Sequence, residues 1–163
     1  MTPAIRAAIG LGANLGDAVG TLRGAVEALA VHDGVTLRAV SRFYRTPAWG
    51  RQDQPDFVNA VALVDTSLAP RALLDLLLAV EAEFGRHRIA GERWGPRTLD
   101  LDLLLFGDAV IDVPGLRVPH PHLHERAFAL VPLLDVWTDA RIPGYGDARD
   151  AVSALEMSNI HPL

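Results

Sequence analysis

Apolar residues recur along this chain with two different periods, and the alternation of these periods predicts the order of its secondary structure. Short apolar runs, typical of strands, alternate with segments in which apolar residues recur every three or four positions, as in a helix with one buried face. The predicted strands are 5–11, 35–46, 57–66 and 99–106, and the predicted helices are 15–32 and 70–84. The order β-α-β-β-α-β predicts an α+β, ferredoxin-like sandwich, in which two helices cover one face of an antiparallel sheet.

The last third of the chain has a weaker pattern. Residues 108–112 can form a further short strand, and 123–134 have helical spacing within a region rich in turns, Gly and Pro. We therefore expect a C-terminal appendage from about residue 113 onward. The chain has 163 residues and no repeat or linker, so 1–163 is predicted to be a single domain that buries about 70% of its unfolded surface.

Composition excludes several classes of function. The chain has no cysteine and no lysine, and it has fifteen arginines. Thiolate catalysis, a Walker A loop and a Schiff-base lysine are therefore excluded. A net charge of −5 argues against the broad basic face that nucleic-acid binding needs. Since no apolar run reaches the length of about 18 residues typical of a membrane span, we expect a soluble, cytoplasmic protein without nucleic-acid or membrane partners.

Two aspartates, Asp100 and Asp102, stand at the start of the last predicted strand. Alternate side chains of a strand share a face at a spacing of about 6.6 Å. At that distance and an effective dielectric near 20, two carboxylates repel by about 3 kcal/mol. A bound cation would offset the repulsion; alternatively, the aspartates cap the strand end and pair with Arg93 or Arg97.

Positive charge is concentrated just before this pair. Residues 86–97 contain four arginines and one glutamate in a chain that is acidic elsewhere. Guanidinium groups match phosphate geometry, and a pair of carboxylates suits a magnesium ion shared with phosphates. The two features together indicate phosphate chemistry on Mg²⁺.

Other motifs admit a functional and a structural interpretation. The glycines of 10–17 lie between a strand and a helix but lack dinucleotide-binding spacing, so a tight turn with close backbone contact is favoured. His120, His122 and His124 have alternate spacing, yet a single useful histidine with two solvated neighbours is favoured over a zinc site. Glu81 is expected to be solvated or paired with arginine rather than catalytic.

Several blocks of the chain resemble, in order, those of the 6-hydroxymethyl-7,8-dihydropterin pyrophosphokinases of folate biosynthesis. The resemblance runs from Ile9 to about Leu134, and its Arg-Trp-Gly-Pro-Arg to Asp-x-Asp block is highly specific. The blocks are GANLGD at 12–17, SRFYRTP at 41–47, QPDFVN at 54–59, Glu81 with 85–86, RWGPRTLDLD at 93–102, VPHP at 118–121 and RAFALVPL at 126–133.

The resemblance implies a Mg²⁺-dependent enzyme that transfers pyrophosphate from ATP to the hydroxymethyl group of a reduced pterin and releases AMP; separately, we expect a monomer. It implies two Mg²⁺ ions held by Asp100 and Asp102. The implied catalytic residues are Arg86, Arg97, Asp100 and Asp102. The implied ATP contacts are Arg86, Arg88, Arg93, Trp94, Arg97, His120 and Arg126. The implied pterin contacts are Thr46, Pro47, Trp49, Phe57, Asn59, Trp94 and Phe128.

Overall fold

A computed structural model describes residues 4–47, 55–84 and 99–163 of the chain. The strands are β1 (Ile5–Ala13), β2 (Val35–Val40), β3 (Tyr44–Thr46), β4 (Phe57–Thr66), β5 (Asp100–Phe106), β6 (Ile111–Val113), β7 (Leu116–Val118), β8 (Arg141–Ile142), β9 (Gly146–Asp147) and β10 (His161–Pro162). The helices are α1 (Ala18–Ala30), α2 (Pro70–Glu83), the 3-10 turn Leu123–Glu125, α3 (Ala127–Val136) and α4 (Ala148–Ser153).

The main sheet is antiparallel and has the order β10-β3-β4-β1-β5, with β2 also paired to β4. Since β2 and β3 lie in succession along β4, the first four predicted strands occupy the positions of a ferredoxin-like sheet. The predicted fold class is therefore confirmed. Two further hairpins, β6-β7 and β8-β9, lie outside this sheet.

Helices α1 and α2 cover one face of the sheet through residues spaced three or four apart. The buried residues of α1 are Leu22, Ala25 and Leu29, and those of α2 include Leu73, Leu77 and Val80. Asp17 begins α1 by accepting a hydrogen bond from the backbone N–H of Gly20 at 3.0 Å, and Pro70 stands in the first turn of α2, where its missing N–H has no cost.

The prediction of one strand over 35–46 is wrong, because the strand is interrupted at Ser41. The Ser41 Oγ accepts a hydrogen bond from Val61 N–H at 2.9 Å, and Ser41 N–H donates to the Val61 carbonyl. Val40 pairs with Ala62 whereas Tyr44 pairs with Asn59, so one extra residue is accommodated between β2 and β3. Such bulges redirect a strand, and β3 thereby lines the end of β4.

The C-terminal third is part of the core rather than an appendage. A second cluster of buried residues, separate from that under α1 and α2, packs α3, α4 and the 3-10 turn against the opposite face of the sheet. Leu123, Leu130 and Leu133 are completely buried there, and burial of each leucine side chain stabilises the fold by about 1.5–3 kcal/mol. Within the described residues, no helix has the length and apolar character needed to cross a membrane.

Candidate active site

The two aspartates of β5 lie on the sheet face opposite to α1 and α2. Along β5, Leu101 and Leu103 belong to the core beneath the two helices, whereas Asp100 and Asp102 are half-buried. Successive side chains of a strand point to opposite faces, so both carboxylates share the second face. This face is the one that α3 covers in part.

Two glycines of β1 separate this aspartate pair from strand β4. Gly12 pairs with Asp100 on one side and with Asn59 on the other, and Gly10 pairs with Asp102. A Cβ on Gly12 would lie only 2.9 Å from Asn59 Oδ1. Glycine at this position therefore allows Asn59 to lie against the strand, and it leaves the centre of the face without side chains.

Asn59 forms the polar end of the site on β4. Its Nδ2 donates a 2.7 Å hydrogen bond to Thr46 Oγ1, and both residues are buried. Phe57, two residues before Asn59, shares its face and is half-buried. Nearby, the buried Asn14 donates from Nδ2 to the Pro55 carbonyl at 3.2 Å. The result is a fixed amide beside an aromatic ring.

Helix α3 places a second aromatic ring on this side of the sheet. Phe128 is half-buried against the second core, and the Arg126 guanidinium lies 5.7 Å from the centre of its ring. Tyr44 of β3 donates a hydrogen bond to the Asp135 carboxylate of α3. Burial, followed by the bond and charge of Asp135, raises the pKa of Tyr44 to about 12, so the phenol remains a donor that joins α3 to β3 at neutral pH.

His120 lies beside β5, near the aspartates. Its backbone N–H donates to the Leu104 carbonyl at 3.0 Å, and its Nδ1 accepts from the backbone N–H of His122 at 3.3 Å. Burial, followed by the charges of Arg126 and His122, lowers the pKa of His120 to about 4, although Asp100 opposes the shift. The ring is therefore neutral at pH 7 and, with Nδ1 as acceptor, carries its proton on Nε2.

A cleft of about 440 Å³ opens between α2, β5 and the β6-β7 hairpin. Leu74, Asp102, Arg117 and His120 are among its lining residues. Arg117 is exposed, and its Nε lies 3.2 Å from Asp112. Arg117 was not identified from the sequence as a residue of the site. Its position between the apolar residues Leu116 and Val118 could have indicated that it faces outward from a short strand.

Glu81 is not solvated, which excludes one of the two alternatives considered for it. The residue stands in the last turn of α2 and is only 4% exposed. Its Oε2 accepts a 2.7 Å hydrogen bond from the backbone N–H of Leu101. Because Leu101 lies between the two aspartates, Glu81 joins α2 to the acidic part of the site.

The histidine-rich segment does not form a zinc site within the described residues, where no group of three or more His, Cys, Asp or Glu side chains is arranged to hold a metal. His122 is largely exposed, as expected, whereas His124 is only partly exposed and stacks on Tyr145 with the ring centres 3.9 Å apart. The two half-buried carboxylates of β5 instead fit Mg²⁺, which is commonly bound by one or two carboxylates together with water and substrate phosphates.

The described site thus brings together part of the predicted set. Asp100 and Asp102, Asn59 and Phe57, and the half-buried Phe128 are associated with one face of the sheet. Thr46 is buried against Asn59, whereas Pro47 is exposed. The predicted residues outside the described ranges are Arg86, Arg88, Arg93, Arg97, Trp94 and Trp49.

Comparison with known proteins places the chain in a family. The sequence model of the family 7,8-dihydro-6-hydroxymethylpterin-pyrophosphokinase (HPPK) matches residues 8–138. A 2-amino-4-hydroxy-6-hydroxymethyldihydropteridine pyrophosphokinase of Methylorubrum extorquens is 44% identical over 155 residues, which cover 95% of this chain and 96% of the relative. The protein of the same name from Pseudomonas aeruginosa is 44% identical over 97% of this chain and 96% of the relative.

Solved structures of HPPK-DHPS proteins have a fold similar to that of this chain. An HPPK-DHPS protein crystallised with substrates superposes with a TM-score of 0.75 at 13% identity, and Plasmodium falciparum HPPK-DHPS with pteroate superposes with a TM-score of 0.72 at 13% identity. These matches cover 94% and 93% of this chain, but the chain spans only 43% and 42% of those longer proteins. By its sequence match over residues 8–138, the chain belongs to the 7,8-dihydro-6-hydroxymethylpterin-pyrophosphokinase family.

Proposed function

We propose that this chain transfers a pyrophosphoryl group from ATP to the hydroxymethyl group of 6-hydroxymethyl-7,8-dihydropterin, with release of AMP, in folate biosynthesis. The observation that carries the proposal is the arrangement around Gly12. An acidic pair suited to metal-bound phosphates lies on one side of this residue, and a buried amide beside an aromatic ring lies on the other. The two halves suit the two substrates of a transfer reaction.

The amide side of the site is suited to a pterin. Neighbouring strands lie about 4.8 Å apart, so Asn59 and Asp100, on either side of β1, are about 10 Å apart at the backbone. Asn59 is held by Thr46 and can present donor and acceptor atoms to the edge of a flat heteroaromatic ring. Phe57 and Phe128 would stack on its faces, since aromatic rings favour offset stacking. Pro47, Trp49 and Trp94 would complete this pocket.

The acidic side is suited to the phosphates of ATP. Asp100 and Asp102 would hold two Mg²⁺ ions, which when bound neutralise charge on phosphate oxygens and align the reacting groups. Their half-burial on a paired strand limits the freedom of both carboxylates. The hydroxyl proton of the pterin would pass to an aspartate or to water.

Arginine and histidine side chains would stabilise the negative charge that spreads over the phosphates during transfer. We assign this role to Arg86 and Arg97, with further ATP contacts from Arg88, Arg93 and Trp94. His120 would donate a hydrogen bond from the Nε2–H of an uncharged imidazole, because its lowered pKa keeps the ring neutral. Arg126, near His120 and the Phe128 ring, would supply a cation at the same end.

We also propose that the enzyme acts as a monomer in the cytoplasm, as one domain over 1–163, with ATP and the pterin as its partners and neither nucleic acid nor membrane. These predictions rest on the composition of the chain and on its family resemblance.

The product of ATP consumption tests the proposal. Purified protein is incubated with Mg²⁺, ATP and 6-hydroxymethyl-7,8-dihydropterin, and the nucleotides are resolved by chromatography. We expect AMP to form in step with a pterin diphosphate. Formation of ADP would indicate a different phosphotransferase, and substrate binding without turnover would indicate a binding module that has kept only the fold.

A further inference from the structure

We propose that Glu81 is a positioning residue for the metal-binding aspartates: it takes the place of a neighbouring strand beside β5 and thereby fixes Asp100 and Asp102. This inference rests on the proposed function, because it assigns a role within the same site. Nothing in the sequence alone indicates such a role for Glu81, and its contact with the reaction is indirect, through the backbone of Leu101.

The first observation is the position of β5 at the end of the main sheet. Among the described strands of that sheet, β5 pairs with β1 only. In an antiparallel pair, the N–H and C=O groups of alternate residues point toward the partner strand and away from it. The N–H of Leu101 points away from β1, and it donates to Glu81 Oε2 at 2.7 Å.

The second observation is the burial of the glutamate. Glu81 is 4% exposed, and it follows Leu77 and Val80, which anchor the last two turns of α2 in the core. Charged residues are rarely so buried unless they are paired, and hydrogen bonds from N–H to carboxylate are short and strong. The helix therefore presents a fixed acceptor to the sheet edge.

The third observation is the place of Leu101 in the sequence. Its neighbours are Asp100 and Asp102, whose side chains point to the other face of the sheet from Leu101. A shift of the Leu101 peptide displaces both carboxylates at once. The same bond also ties residue 81, just before the arginine-rich segment 86–97, to residue 101, just after it, so that both flanks of that segment are held together.

Outer residues that orient metal ligands commonly change metal affinity by about 10- to 100-fold when they are replaced. We therefore expect Glu81→Ala to weaken binding of Mn²⁺, used as a probe for Mg²⁺ and measured by electron paramagnetic resonance with a non-hydrolysable ATP analogue, by about that factor. The Leu101 amide should exchange its hydrogen faster, because it loses its acceptor. Pterin affinity should stay unchanged, since Asn59 and Phe57 lie on β4.

Two further variants separate position from charge and from general damage. Glu81→Gln keeps a carbonyl acceptor, so Leu101 protection and Mn²⁺ affinity should both stay close to wild type. Glu83→Gln changes an exposed glutamate in the same turn and should alter neither measurement. If Glu81→Ala does not fold, measurements on Glu81→Gln still test the proposal.

Faster Leu101 exchange with unchanged Mn²⁺ affinity in Glu81→Ala would overturn the proposal, because the bond would then not position the ligands. Weak Mn²⁺ binding in Glu81→Gln with Leu101 protection intact would also overturn it, because charge rather than position would be responsible. Neither readout requires turnover. A wild-type protein that forms no AMP would therefore refute the proposed function while the role of Glu81 remained measurable.

Discussion

Replacement of Gly12 by alanine adds a methyl group where the amide half of the site is most crowded. The new Cβ would lie 2.9 Å from Asn59 Oδ1, closer than the 3.4 Å at which ordinary van der Waals contact begins. Asn59 has little room to move, because it is buried and its Nδ2 is held at 2.7 Å by Thr46. The amide must therefore rotate or shift, and its bond to Thr46 weakens.

A displaced Asn59 amide would no longer meet the edge of the pterin, and loss of one such hydrogen bond costs about 1–2 kcal/mol, which corresponds to about a 5- to 30-fold change in a dissociation constant. We expect Gly12→Ala to raise the pterin Kd by that factor. Isothermal titration of the pterin into protein saturated with a non-hydrolysable ATP analogue measures the change. Circular dichroism checks that the variant is folded.

Gly10→Ala is the matched control, because it adds the same methyl group two residues away on the same strand face. Its Cβ would lie 3.4 Å from the nearest side-chain carbon of Leu104, a contact that the flexible side chain can relieve. Pterin affinity should stay near wild type. Wild-type pterin affinity in folded Gly12→Ala would refute the reasoning, since Asn59 would then either tolerate the methyl group or play no part in pterin binding.

Three further outcomes follow from the site. Asp102→Ala should lower the rate of AMP formation by at least about 100-fold, because a metal ligand is lost, while pterin affinity is retained; near-normal turnover with Mg²⁺ would contradict the metal assignment. Phe128→Ala should raise the pterin Kd by about 3- to 10-fold through loss of stacking, measured by titration, and an unchanged Kd would count against stacking on this ring. The lowered pKa of His120, about 4, means that the unfolded chain binds a proton in the range from about pH 6.5 to 4 that the folded chain does not. The stability that this group contributes to folding is therefore complete above about pH 6.5 and is lost as the pH falls toward 4. The free energy of unfolding, measured with urea, should depend less steeply on pH over this range in His120→Gln than in wild type. An equal dependence in both proteins would contradict the shift.

The sequence predicted those features of the fold that depend on local periodicity. Strand 57–66 and the helix beginning at Pro70 were recognisable from an apolar run and from apolar spacing after an initial proline. The break at Ser41 was not recognisable, because it depends on a hydroxyl group that bonds the backbone of Val61, a residue twenty positions away. The packing of α3 was missed for a related reason. The spacing of 123–134 indicated a helix, but almost every residue of α3 is apolar, so no single face identified the sheet as its packing partner.

In the site, too, features set by local periodicity could be predicted from the sequence, whereas those set by contacts between distant residues could not. The shared face of Asp100 and Asp102 follows from the two-residue period of a strand. The bond between Asn59 and Thr46 depends on strand register, so the family resemblance could suggest that these residues act together, whereas their spacing in the sequence could not. The burial of Glu81 depends on the position of β5 at the end of the described sheet, which only the strand order defines.

Paramagnetic broadening by Mn²⁺ tests most directly the claim that nucleotide and metal bind on the face defined by β1 and β5. Amide resonances of the isotope-labelled protein are followed as Mn²⁺ is added with a non-hydrolysable ATP analogue. We predict that Asp100, Asp102 and Gly10 lose intensity first. Initial loss instead at the separate acidic cleft that includes Asp139 and Asp147, with β5 unaffected, would contradict the account.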